Sequence, residues 1–185
     1  MHDGNSLWNK LLDQIDSRGW AWQIVGPDQG DDENEPFPHY CYTVGLVSKG
    51  LPDLIIVGLD IQTSISVGDE LIIRALGLDA PGRAVPTAAG PHPFNVNEVL
   101  LDVFKGTRAM LVDVPPFQAA KRSLFAHDYA EAVSKAPDLV QLVWPDRNGR
   151  LPFEEGAAPS FAQAQPVLKH AGPSDPHQAD SPVMQ

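Results

Sequence analysis

Two apolar runs separated by a short break constrain this chain more than anything else in it: Tyr40-Cys41-Tyr42-Thr43-Val44-Gly45-Leu46 and Leu54-Ile55-Ile56-Val57-Gly58-Leu59. Both are rich in β-branched and aromatic side chains, and the break, Ser48-Lys49-Gly50-Leu51-Pro52, holds the Gly and Pro that punctuate turns. They predict two adjacent strands at the centre of a sheet. The second run has almost no polar alternation, the pattern of a strand covered on both faces, so the rest of the chain must supply two layers of cover.

Helical cover is written on both sides of this pair. Ser6 can cap a first helix, in which Leu7, Leu11, Leu12 and Ile15 recur at helical spacing before Gly19 ends it. Asp60 can cap a second, with Ile61, Ile65, Gly68, Leu71, Ile72, Ala75 and Leu76 on one stripe and Gly77 as its stop. Pro116 suits the first position of a third, whose buried stripe is expected to be Phe117, Ala120, Leu124, Phe125 and Ala132.

Further strands are expected at Trp20–Val25, in a hairpin of Glu98–Phe104 and Arg108–Val114 around Lys105-Gly106-Thr107, and at Leu139–Trp144. Asn148-Gly149 then predicts a tight reversal, with Arg150–Phe153 returning along the last strand. Residues 26–38 and 79–93 are rich in Gly and Pro and read as loops, the second with at most a short strand at Arg83-Ala84-Val85. The fold class is α+β: one domain over 1–155, with a mainly antiparallel sheet covered by about three helices. From 156 to 185, prolines, Ala, Ser and Gln dominate, which predicts a disordered tail.

Composition narrows the partners. With 24 acids against 13 bases the formal net charge is -11, so phosphate backbones and anionic membranes repel the chain, and no local basic patch offsets this. No apolar stretch approaches the roughly 20 residues that span a bilayer. The N-terminus has neither the basic nor the apolar region of a secretory leader. The single cysteine, Cys41, has no partner for an internal disulfide, and a cytoplasmic setting is the expectation.

Three segments together resemble a bacterial family known as domain of unknown function 4262. They are Tyr42-Thr43-Val44-Gly45-Leu46, then Gly50-Leu51-Pro52-Asp53-Leu54-Ile55 with Gly58, and Gln141-Leu142-Val143-Trp144-Pro145-Asp146 with Gly149 and Pro152; the Gly19-Trp20 entry is similar too. The resemblance spans roughly residues 19–155. It implies a bacterial origin and a cytosolic setting, and it brings no mechanism. The plan of the central unit is also similar to split-barrel flavin reductases, an analogy of fold alone.

Chemistry-bearing patterns are sparse. The carboxylates of Asp28, Asp31, Asp32, Glu33 and Glu35 lack the alternation and closing Glu of a calcium loop. His39 and Cys41 fall on one face of a strand, yet one His and one Cys make only half a zinc site, and His92 and His127 lack ligand spacing; no metal is expected. Trp144-Pro145-Asp146 invites comparison with the acid loop of tyrosine phosphatases, but no arginine-closed phosphate loop follows Cys41. Gly-rich phosphate loops, the Gly-x-Ser-x-Gly elbow and His-Glu-x-x-His are also missing from the sequence.

Two function classes stay open. One is a binding or regulatory module with a protein partner or small-molecule ligand; the other is a small-molecule or flavin-dependent enzyme on a split-barrel-like sheet. For either, the polar and aromatic groups at strand ends mark the candidate ligand pocket: Tyr42, Thr43, Arg83, Trp144 and Asp146, expected to converge as an aromatic wall, a carboxylate and a guanidinium.

Overall fold

The computed structural model describes residues 3–29, 36–79, 83–84, 94–97, 99–104 and 107–168. In chain order the elements are α1 (Asp3–Arg18), β1 (Ala21–Val25), β2 (Asp28–Gln29), β3 (Pro36–Phe37), β4 (Tyr40–Val44) and a 3-10 turn (Leu46–Lys49). Then come β5 (Asp53–Val57), α2 (Ile61–Leu76), β6 (Leu78–Asp79), β7 (Arg83–Ala84), β8 (Val99–Phe104) and β9 (Thr107–Asp113). The last are α3 (Pro116–Arg122), α4 (Leu124–Ala132), β10 (Leu139–Val143) and α5 (Pro159–Ala164).

Six strands form one open sheet in the order β1-β4-β5-β10-β9-β8. Every neighbouring pair is antiparallel except β5 and β10, which run parallel with Val140 opposite Leu54 and Leu142 opposite Ile56. The α+β class and the mainly antiparallel sheet therefore stand, and the sheet does not close into a barrel. Two short ribbons, β2 with β3 and β6 with β7, lie within the stretches read as loops.

The two layers of cover follow the alternation of side chains along the strands. Cys41, Leu54, Ile56, Val140 and Leu142 face α2, which buries Val67, Leu71, Ile72 and Ala75 against them. Tyr40, Tyr42, Val44, Ile55, Val57 and Leu139 face the other way, toward Leu11 and Ile15 of α1 and Ala119 and Ala126 of α3 and α4. All five side chains of β5 are buried, as a strand sandwiched between helices requires. The Asp60 carboxylate caps α2 by accepting from Thr63 N at 3.0 Å, and Gly77, at φ 63°, ends the helix. Gly68 lets α2 lie against Trp22: a Cβ there would come within 2.5 Å of the indole ring. Next to it, Asp69 Oδ1 accepts from the Trp20 and Trp22 indoles at 2.9 and 2.8 Å.

Three sequence expectations are corrected. The helix begun by Pro116 is interrupted at Ser123, whose φ of -133° and ψ of 54° leave the helical region; of its expected stripe Phe125 packs on the core, while Phe117, Ala120, Leu124 and Ala132 are exposed. The buried side is Gln118, Ala119, Arg122, Ala126 and Ala130, because small side chains allow close approach to the sheet. The Arg122 guanidinium lies over the Phe37 ring, 3.6 Å from its centroid. Second, Arg150–Phe153 form turns rather than a returning strand. Third, residues 159–168, assigned by composition to a tail, include α5 and pack on the sheet, with Gln165 fully buried and Leu168 nearly so. Residues 169–185 lie outside the described part of the chain.

Candidate functional site

Of the five residues expected to share a pocket, Tyr42 and Trp144 lie on opposite faces of the sheet. The Tyr42 ring is buried on the face covered by α1, α3 and α4, stacked near Tyr40, and its hydroxyl accepts from Phe125 N at 3.4 Å; burial raises its pKa. Trp144 packs with the opposite face, the one covered by α2. Asp146 closes its own turn by accepting from Asn148 N and Arg150 N at 2.8 and 2.9 Å. The backbone of Arg83 pairs with that of Asp79 in the β6–β7 ribbon, and its side chain lies outside the described part. The alternation of a strand accounts for the separation. Groups gathered at strand ends share a concavity only if their positions have the same parity, and Tyr42 has that of Tyr40 and Val44.

Among the described residues, a polar cluster lies toward each end of β5. At the amino end the Asp53 carboxyl, 2% exposed, accepts from Thr43 Oγ1 at 2.8 Å and Leu46 N at 3.2 Å, with a further bond from the Gly45 backbone. Thr43 Oγ1 in turn accepts from Leu54 N at 2.8 Å. Thr43 is thus an internal link between two strands and the turn that joins them. Burial pushes the Asp53 pKa up to about 7, against the hydrogen bonds that favour its charged form, and the neighbouring Asp138 carboxylate raises it further. Proton uptake here alters folding stability, because the carboxyl is enclosed by the groups it holds.

At the carboxyl end, the parallel strands β5 and β10 finish side by side, and residues 158–168 run from Trp144 and Gly58 there back to Gln141, opposite Ile55. Gln141, in the middle of β10 and fully buried, donates from Nε2 to Pro166 O at 2.9 Å and accepts at Oε1 from Leu168 N at 2.7 Å. Gln165, also fully buried, returns the pattern: its Oε1 accepts from Trp144 N at 2.8 Å and its Nε2 donates to Trp144 O at 2.9 Å. The Trp144 indole donates to Val57 O at 3.0 Å and meets the Phe161 ring edge to face, with centroids 5.0 Å apart. Gly58, at φ 71°, makes room for the crossing segment, since a Cβ on it would lie 1.8 Å from Ala164 O.

Gln141 and Gln165 were not singled out from the sequence. A glutamine inside Leu139-Val140-Gln141-Leu142-Val143, a strand apolar on both faces, was the available signal.

Cys41 and His39 do not work as a pair. The Cys41 thiol is buried and its pKa is pushed up to about 12, so at neutral pH it is the protonated, poorly nucleophilic form. His39 Nε2 lies 3.0 Å from Leu59 O, which accepts from it in the Nε2-protonated tautomer. Among the described residues, no three His, Cys, Asp or Glu side chains are grouped as a metal would need. None of the described helices is long and apolar enough to cross a membrane.

A family profile described as "Domain of unknown function (DUF4262)" matches residues 14–158. No curated protein and no solved structure matches the chain.

Proposed function

Taking as premise that the chain belongs to the DUF4262 family, we propose that it is a binding or regulatory module whose working surface is the carboxyl end of the parallel pair β5 and β10. The observation that carries this reading is Gln141. A fully buried amide in an apolar strand directs both of its polar atoms at main-chain groups of a segment that crosses the sheet. Packing alone would be served better by Leu or Ile, because burying an amide costs free energy that only a matched partner offsets. Its presence makes sense where a polypeptide has to be held by its backbone.

The side chains of reactive type argue in the same direction. Asp53 is enclosed by the strand ends it joins, and Cys41 is held as a thiol. The flavin-enzyme alternative drew on Tyr42, Thr43, Trp144 and the loop 79–93, and of these the Tyr42 and Trp144 rings occupy opposite faces of the sheet.

The test uses the purified full-length chain and the indole N–H resonances of its four tryptophans. A colourless protein in which an added ligand shifts the Trp144 resonance, and leaves those of Trp20 and Trp22 in place, supports the reading. A stoichiometric flavin absorption band, with Trp144 unmoved when the flavin is stripped, contradicts it.

A further inference from the structure

The segment lying across the carboxyl end of β5 and β10 is held differently from the rest of the core. None of the six residues of α5 is buried, and the approach to it through Glu155, Gly156 and Ala158 is exposed, with Gly156 at φ 81° as a pivot. Attachment depends on a few points. They are the Phe161 ring on Trp144, the Gln165 amide on the Trp144 main chain, the Gln141 amide on the main chain of Pro166 and Leu168, the buried Leu168 side chain, Val167 against Val112, Val143 and Leu151, and the Arg150 guanidinium on the Gly156 carbonyl.

Phe161 is presented from α5, and beyond the helix the segment is read through its main chain, by Gln141 at Pro166 and Leu168. Gln141 reads backbone, so the demand for an aliphatic side chain at 168 comes from the core that buries Leu168. Gln165 reads in the opposite direction, offering an amide whose length and two-sided bonding match the Trp144 N–H and C=O. Gly58 removes the Cβ that would keep an incoming backbone carbonyl at a distance.

Building on the binding reading above, we propose that this is a peptide-recognition groove that the chain fills with its own residues 158–168. Its partner is a segment of the same chemistry: an aromatic residue, a glutamine four positions later followed directly by proline, and an aliphatic residue three positions after the glutamine. The pattern is that of Phe161, Gln165, Pro166 and Leu168. Emptying the groove would strand the two polar atoms of Gln141 and the N–H and C=O of Trp144, and a segment lacking the glutamine would leave the Trp144 pair unmet. Preference for a glutamine-bearing partner follows from that penalty, and the fraction of molecules with the internal segment displaced sets the apparent affinity.

The experiment adds a fluorescently labelled peptide of residues 158–168 to the full-length chain and to its Phe161→Ala/Gln165→Ala variant, which weakens the internal segment and leaves the groove intact. The variant is expected to bind the peptide saturably and about tenfold or more tightly than the unaltered chain, whose groove is occupied. A peptide carrying Gln165→Ala should lose that binding, and adding Gly58→Val to the variant should abolish it. A folded variant that takes up no peptide, or takes up both peptides equally, overturns the proposal, as does a dimer formed by exchange of the segment between copies without uptake of free peptide.

Should the double variant fail to fold, prolonged incubation of the unaltered chain with a large excess of peptide decides. Incorporation supports the proposal, and none in a folded chain overturns it. A non-peptide ligand that moves the Trp144 resonance where no peptide binds would leave the binding reading standing and remove this one alone.

Discussion

The two ends of β5 do the same job by opposite means. At the amino end, Asp53 and Thr43 tie the strand to its neighbour and to the intervening turn through bonds between residues 7 to 11 positions apart. At the carboxyl end, Gln141, Gln165 and Trp144 tie the strand pair to a segment 21 to 27 positions away, and Trp144 reaches Val57 across 87. Donors at the first end are turned inward on a carboxyl sealed from water, so the tie can open only when the strands separate. Those at the second face a segment with an exposed approach, which can leave while the sheet stays folded. The scaffold is therefore closed at one end and available at the other.

The change expected to be largest destroys both ends together. Ile56 is fully buried in the middle of β5, and Ile56→Asp places an unpaired carboxylate there at a cost of several kcal/mol, on the scale of total domain stability. Loss of the cooperative melt is expected; an unchanged melting temperature would deny the strand its central place.

Next in size is the proton linkage of the closed end. The Asp53 pKa is raised from 3.8 to about 7 on folding, so its stabilising contribution is complete below about pH 4 and is lost as pH rises to about 7. Asp53→Asn keeps an acceptor and removes the titration. Denaturant melts should show the variant gaining on the unaltered protein between pH 4 and 7, by an amount approaching 4 kcal/mol at about 1.4 kcal/mol per pKa unit. Parallel pH profiles for the two proteins would mean that the carboxyl is not sealed.

A smaller effect is expected at the open end. Gly58→Ala combines a positive φ with a Cβ driven into the Ala164 carbonyl, and should cost roughly 1–3 kcal/mol while shifting the Trp144 and Phe161 resonances and sparing those of Tyr42. Equal disturbance on the Tyr42 face would show that the crossing segment is coupled to the whole core.

The same contrast explains what the sequence disclosed. Local signals were legible: the caps Asp60 and Gly77, Pro116 at a helix start, the hairpin before it, and the runs that became β4 and β5. Asp53 stood inside the family-like stretch, but no role was read for it from the sequence. The open end depends on pairings between distant residues, which periodicity does not encode; a short segment with few large apolar groups therefore read as tail, although two amides, one ring and the buried Leu168 hold it. The helices after Pro116 failed for a related reason. Their apolar stripe at Phe117, Ala120 and Leu124 suited a core, but the close approach made by Ala119, Ala126 and Ala130 turned the other face inward. For the expected pocket, strand parity separates two of its members, placing Tyr42 and Trp144 on different faces.

Native-state hydrogen exchange tests the difference between the two ends most directly, through one amide at each. Leu54 N–H is bonded to Thr43 Oγ1 at the closed end, and Leu168 N–H is bonded to Gln141 Oε1 at the open end. The account predicts that Leu168 exchanges through a local opening of lower free energy that is nearly insensitive to small additions of denaturant, and that Leu54 exchanges only with global unfolding. Leu168 and Leu54 following one denaturant dependence at one free energy would contradict it.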